Sequence, residues 1–207
     1  MIAILGTPSK TAPWLLQFGG HHLAFNFYYK GTAGAASPYF LAVEPTAWKD
    51  AEGKAHAPLA PMRDAMHGLV NSLTSEQAAK ARLAARFSDI YVGPGKDARF
   101  SARSEGIPVS ELSDASKAFV KRAIAAWTGD SAQAAEYRTL YEAELDRTKV
   151  AFSGSTTLNE RGDYVRIDGP HAWIEFSCQN GIVVRNEIHY HTIWRDRLTD
   201  YGAEFSF

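Results

Sequence analysis

The chain has 207 residues, 22 basic and 23 acidic side chains for a formal net charge of −1, and is 45% hydrophobic and 12% aromatic. That balance fits one domain over residues 1–207 and gives no basic field for gripping phosphate backbones, so no nucleic-acid partner is expected. No apolar run approaches the roughly 20 residues needed to cross a bilayer, so no membrane partner is expected, and the single Cys178 excludes an intrachain disulfide and thiolate-rich zinc or iron–sulfur sites.

The opening Met1-Ile2-Ala3-Ile4-Leu5-Gly6 lacks the charged n-region and the length of a secretory signal. From Pro13 to about Val43, β-forming aromatics (Trp14, Phe18, Phe25, Phe27, Tyr28, Tyr29, Tyr39, Phe40) punctuated by glycines predict two or three strands. After a loop with Asp50, Gly53 and Pro58, the spacing of Met62, Met66, Leu69, Val70 and Leu73 traces one face of an amphipathic helix. Thr74-x-x-Gln77 has capping-box spacing and predicts a second helix from Ser75 to about Ala85. Ser88 to Ile107 carries no periodicity. Its Gly93-Pro94-Gly95-Lys96 lacks the spacing and the strand–loop–helix frame of a phosphate loop. A Ser113-Asp114 cap precedes Ser116, Val120, Ala123, Ile124 and Trp127 on one helical side, and Ala134, Tyr137, Tyr141 and Leu145 follow Asp130-Ser131 as a fourth helix. Strand character returns in Tyr164–Asp168, Ala172–Ser177, Ile182–Arg185 and Ile188–Trp194, with Asn180-Gly181 as the strongest hairpin signal. Strand-rich ends around a helical middle predict an α+β fold in which N- and C-terminal segments share one antiparallel sheet.

That sheet would bring together the regions where histidine is concentrated. His189 and His191 alternate onto one strand face with Cα atoms roughly 6.7 Å apart, a spacing at which two imidazoles can bind one ion. In the Gly-Gly-His-His segment, His21 shares parity with the apolar Leu23, Phe25 and Phe27, and His22 with Ala24, Asn26 and Tyr28, so His22 is the better site-facing member. Glu175 lies in a mostly apolar run, where a carboxylate is costly unless it meets a cation or a donor, which makes it the expected oxygen ligand or general base. Arg195, beside the imidazoles, is expected to clamp an anionic group, or else to pair with Asp196 or Asp200; Arg166 shares a face with Asp168. Trp14, Trp173 and Trp194 are candidate pocket walls. No G-x-S-x-G elbow is present, and Cys178 has no adjacent base.

The segments Phe18-Gly19-Gly20-His21-His22-Leu23-Ala24, Glu44-Pro45, Tyr164 to Pro170, Ile174-Glu175-Phe176, His189 to Asp196 and Asp200-Tyr201-Gly202 together resemble domain-of-unknown-function family 3500. The resemblance runs nearly end to end and conveys no reaction. It implies weight on Gly20, His21, His22, Arg166, Glu175, His189, His191, Arg195 and Asp196, and none on His171. Members of that family usually look longer at the N-terminus, often with an export signal, so this chain is expected to be a short form or a trimmed one and its compartment is left unassigned.

The leading expectation is a metal-dependent enzyme, of hydrolase type, acting on a small organic molecule. Its divalent zinc, iron or copper ion would be held by His21 or His22 with His189 and His191; Glu175, Arg195, Arg166 and Asp196 are the candidate catalytic groups. Three alternatives stand beside it: an oxidative reaction at the same metal, a metal-free enzyme using a histidine as general acid/base, and a non-catalytic small-ligand module. The oligomeric state is not legible.

Overall fold

In the computed structural model, which describes residues 1–97 and 99–207, both ends of the chain enter one ten-stranded antiparallel sheet. The N-terminal strands are β1 (Ile2–Gly6), β2 (Trp14–Gly19), β3 (Leu23–Lys30), β4 (Ala33–Ala35) and β5 (Tyr39–Val43). A short hairpin of β6 (Trp48–Lys49) and β7 (Ala55–His56) leads to helices α1 (Ala60–Asn71) and α2 (Ser75–Ala81). Strand β8 (Ile107–Pro108) precedes α3 (Asp114–Thr128) and α4 (Ala134–Ala143). The chain closes with β9 (Lys149–Ser153), β10 (Tyr164–Asp168), β11 (Ala172–Asn180) and β12 (Ile188–Asp196). The order across the sheet is β1-β2-β3-β5-β12-β11-β10-β9-β8, with β4 on β3. The α+β architecture is therefore as expected, and the seam between the two ends is the β5–β12 pair, where Phe40 faces Ile193 and Ala42 faces His191.

Local chemistry sets the helix limits. Pro61 opens α1, Thr74 and Gln77 form the reciprocal capping box of α2, and the Ser113 hydroxyl accepts the Ser116 N–H at the start of α3. Their apolar stripes (Met62, Met66, Leu69 and Val70 on α1; Val120, Ile124 and Trp127 on α3) pack on Val165, Ile167, Ile174, Phe176 and Cys178. Each such large side chain contributes about 1.5–3 kcal/mol by leaving water.

The other sheet face is polar. Alternation places Tyr164, Arg166 and Asp168 of β10, Trp173, Glu175, Ser177 and Gln179 of β11, and His189, His191, Ile193 and Arg195 of β12 on that side. The described residues between α2 and β8 run across it as a strap. Leu83 donates to the Phe152 carbonyl, Phe87 stacks on Tyr164 with ring centroids 4.2 Å apart, and Ile90 packs with Phe40 and Ile193. Gly106 ends the strap at φ +107°, where a Cβ would lie 2.2 Å from the Val150 carbonyl oxygen, so only glycine fits.

Four expectations need correction. Residues 14–43 hold four strands, β2 to β5, rather than two or three. Ile182–Arg185 is not a strand: Ile182 and Val183 are 70% and 82% exposed, and the Val183 and Val184 N–H groups donate to the Glu44 carboxylate rather than to a neighbouring strand. Asn180-Gly181 consequently begins a longer loop to β12 instead of forming a two-residue turn. Helix α2 stops at Ala81, because Arg82 turns extended and bridges to Phe152. Strands β1, β6, β7, β8 and β9 have no counterpart among the predicted strands.

Candidate metal centre

His189 and His191 project from β12 and His22 from the turn between β2 and β3, where its carbonyl accepts the Ala42 N–H and ties the turn to β5. One ligand atom from each of the three rings lies within 4.8 Å of the other two. The Nε2 atoms of His189 and His191 are 3.1 Å apart, and the His22 ring centroid lies 5.9 Å from each of theirs. The opposite ring nitrogens are engaged. His189 Nδ1 lies 2.8 Å from the Asn180 carbonyl oxygen, and His191 Nδ1 lies 2.9 Å from Asp89 Oδ1. With Nδ1 protonated and donating, each ring turns its Nε2 lone pair toward the other, the arrangement that outer acceptors impose on metal-binding histidines.

Burial, with repulsion from His21, His191 and His189, holds His22 below the usual 6.5; burial and His191 do the same for His189. Both are therefore neutral and ligand-competent near pH 7. Two carboxylates flank the rings. Burial raises the Asp89 carboxyl, but the hydrogen bond and charge of His191, the Ile90 N–H and the Lys96 ammonium together outweigh it and leave Asp89 below its ordinary range. Burial likewise raises Glu44, and the backbone N–H groups of Val184, Val183 and Ile182, aided by His189, bring it down. Glu44 Oε2 sits 3.9 Å from His189 Nδ1, so two carboxylates stand behind the three rings.

The other predicted residues do not join this cluster. His21 is exposed and stacks on His22 with centroids 4.5 Å apart, but none of its atoms belongs to the three-ring set. Glu175 shares the sheet face yet accepts from Val92 N–H at 2.8 Å, Tyr164 hydroxyl at 2.8 Å, Trp173 indole at 2.5 Å, and the Tyr91 N–H. Four donors fill its lone-pair directions, so it fastens the strap rather than serving as a ligand. Arg195, 1% exposed, is consumed by the Val92 and Gly93 carbonyls, Asp97 and Asp200, which realises the structural pairing and leaves no free fork for a substrate anion. Asp196 points to the helical side, accepting from the Tyr141 hydroxyl and the N–H groups of Leu198 and Thr199. Arg166 is buried against the Trp173 ring at 4.8 Å, with Glu105 at 3.6 Å. His171 pairs with Glu144.

Asp89, Gln179 and Glu44 were not singled out as site residues. Gln179 Nε2 and His191 Nδ1, 2.8 Å apart, converge on Asp89 Oδ1, which accepts from both. Its signal was available, since it shares parity with Glu175 on a strand facing the His-x-His pair. Asp89 lies in the aperiodic segment, where spacing says nothing.

Two adjoining cavities open beside the rings, between the polar sheet face and the strap. One of about 480 Å³ is lined by His21, Asp89, Lys96 and His191, and one of about 320 Å³ by Gln17, Asn26, Ile193 and Arg195. Trp14, Trp173 and Trp194 line neither. No helix among the described residues is long and apolar enough to cross a membrane.

Fold and site together define an α+β protein carrying an imidazole cluster at the seam of its two chain ends. Residues 1–203 match the family described as protein of unknown function (DUF3500), and the chain belongs to that family. No curated protein and no solved structure matches it.

Proposed function

We propose that this protein is a metal-dependent enzyme in which His22, His189 and His191 hold one divalent transition-metal ion, with hydrolysis of a small organic substrate as its reaction. The observation that carries the reading is the pair of Nε2 atoms 3.1 Å apart whose Nδ1 partners are already taken. Two nitrogens at roughly 2.0–2.1 Å from a common ion and 3.1 Å from each other subtend about 95–102°, between octahedral and tetrahedral values. Without an ion or a shared proton, the same two lone pairs would repel.

A bound ion of this class supplies Lewis acidity and lowers the pKa of bound water to about 7. The chain's own part is to fix the rings through Asn180 and Asp89, to offset positive charge with Asp89 and Glu44, and to set His191 in the wall of the larger cavity. An all-nitrogen donor set suits iron or copper as well as zinc, which favours a redox reaction at the same three residues as the second reading.

Elemental analysis of protein purified without a polyhistidine tag tests this. One equivalent of zinc, iron or copper is expected, lost in a His189→Ala/His191→Ala double variant whose circular dichroism is unchanged. A folded preparation that neither retains nor takes up an ion would overturn it.

A further inference from the structure

We infer that the cleft beside the imidazoles binds an elongated, mostly apolar organic molecule, one end at the histidines and the other presenting an N–H or O–H group to Gln17. The inference rests on the imidazole cluster being the reacting end. The two cavities share Gly19, Ala24, Phe40 and Pro94 in their walls, so they form one cleft with a histidine end and an amide end. Sheet register gives its length. Gln17 of β2, Asn26 of β3, Pro38 just ahead of β5 and Arg195 of β12 continue the register as one row, and His22, Ala42 and His191 form another, four residues along β12. Three strand spacings and four strand rises place Gln17 and His191 roughly 20 Å apart at Cα, which sets the length of the cleft.

The floor between the rows is Ala24, Phe40 and Ile193, all apolar, and the strap's Ile90 and Pro94 form the roof. The charges on that stretch are partnered: Arg195 by Asp97 at 2.8 Å and Asp200 at 3.0 Å, Asp97 also by the Tyr201 hydroxyl at 2.7 Å, and the Met1 ammonium, beside the wall both cavities share, by the Gly19 carbonyl at 2.8 Å. The middle of the cleft therefore selects against charge. At the far end an ordered relay fixes the amides. Asn26 Nδ2 donates to the Pro38 carbonyl at 2.8 Å, so its Oδ1 must accept from Gln17 Nε2, also at 2.8 Å. This sets the orientation of both amides and leaves Gln17 Oε1 without a donor among the described residues, as an acceptor in the cavity wall.

The test uses zinc-loaded full-length protein and linear alkyl hydroxamic acids of increasing chain length, with and without a terminal hydroxyl, read by isothermal titration. Affinity is expected to rise about fourfold per added methylene until the cleft is filled. At that length alone the terminal hydroxyl should strengthen binding, and Gln17→Leu should erase the hydroxyl's gain while sparing the chain-length dependence. Ala24→Phe, checked for folding by circular dichroism, should abolish the length dependence and keep the headgroup affinity. Affinity independent of chain length, or length dependence untouched in Ala24→Phe, would overturn the inference. Should the protein take no metal, the matching alkanols and diols are titrated onto metal-free protein by saturation-transfer NMR. The same dependence on length and on Gln17 then upholds the cleft while the metal reading falls; its absence removes the cleft as well.

Discussion

Asp89, on the strap, meets His191, on the central strand, at 2.9 Å across 102 positions of sequence. This contact holds the imidazole in the tautomer that frees Nε2. Asp89→Asn is expected to lower metal affinity by about 10–100-fold without changing the one-ion stoichiometry, because such outer acceptors tune the ligands rather than replace them. The Asp89 side chain is 46% exposed, so the fold should tolerate the change. Competition against a chromophoric chelator measures the difference, and an unchanged affinity would count against the orientation ascribed to His191.

Metal uptake should be flat from pH 8 to 7 and decline on acidification. His22 and His189 lie below the ordinary imidazole value because of burial and mutual repulsion, so at those two rings protons compete with the ion only under more acidic conditions than for free imidazole. The sign for stability follows from the same shifts. The unfolded chain takes up protons more readily, so metal-free protein keeps this contribution above about pH 6.5 and loses it as pH falls through the lowered folded values. Chelator competition and denaturant unfolding at several pH values check the two halves.

Glu175 gives a contrasting result. Glu175→Gln puts an amide NH₂ where donors already point, so one or two of the Trp173, Tyr164, Tyr91 and Val92 donors lose their acceptor inside the protein. A loss of about 2–4 kcal/mol is expected in denaturant unfolding, with metal content still one equivalent per chain. Loss of the ion with full stability would instead return Glu175 to the ligand set.

Buried phenols predict the alkaline behaviour. Burial pushes Tyr137 up to about 12 and raises Tyr141 and Tyr164 further. Their protonated state stabilises the fold fully below the unfolded value near 10, and that contribution is lost as pH climbs toward the folded values. In a near-ultraviolet titration these three phenols should ionise only with cooperative unfolding, and a Tyr137→Phe variant should unfold at higher pH than the parent.

Periodicity made the helices and the two-ended sheet legible, because Met62 to Val70 and Ser116 to Trp127 repeat at helical spacing and their caps carry the right hydroxyls. The His-x-His face and the preference for His22 followed from strand parity alone. What the residues did not disclose is how each charge is used. Glu175 and Arg195 read as chemistry because they sit in apolar strands, yet their partners (the amides of Tyr91 and Val92, the carbonyls of Val92 and Gly93) belong to backbone, which has no signature in a sequence. The strap hid Asp89 for a related reason: its course is fixed by those anchors and not by any repeat of its own. The exposed Ile182 and Val183 imitate a strand in composition, while their segment is governed by one distant carboxylate, Glu44.

Strand β12 divides its side chains strictly, with Tyr190, Thr192, Trp194 and Asp196 toward the helices and His189, His191, Ile193 and Arg195 toward the strap. Inserting or deleting a single residue there would exchange the two sets at once, driving imidazoles into oil and a tryptophan into the cleft. Lineages descended from this chain can therefore lengthen or shorten that strand only by twos.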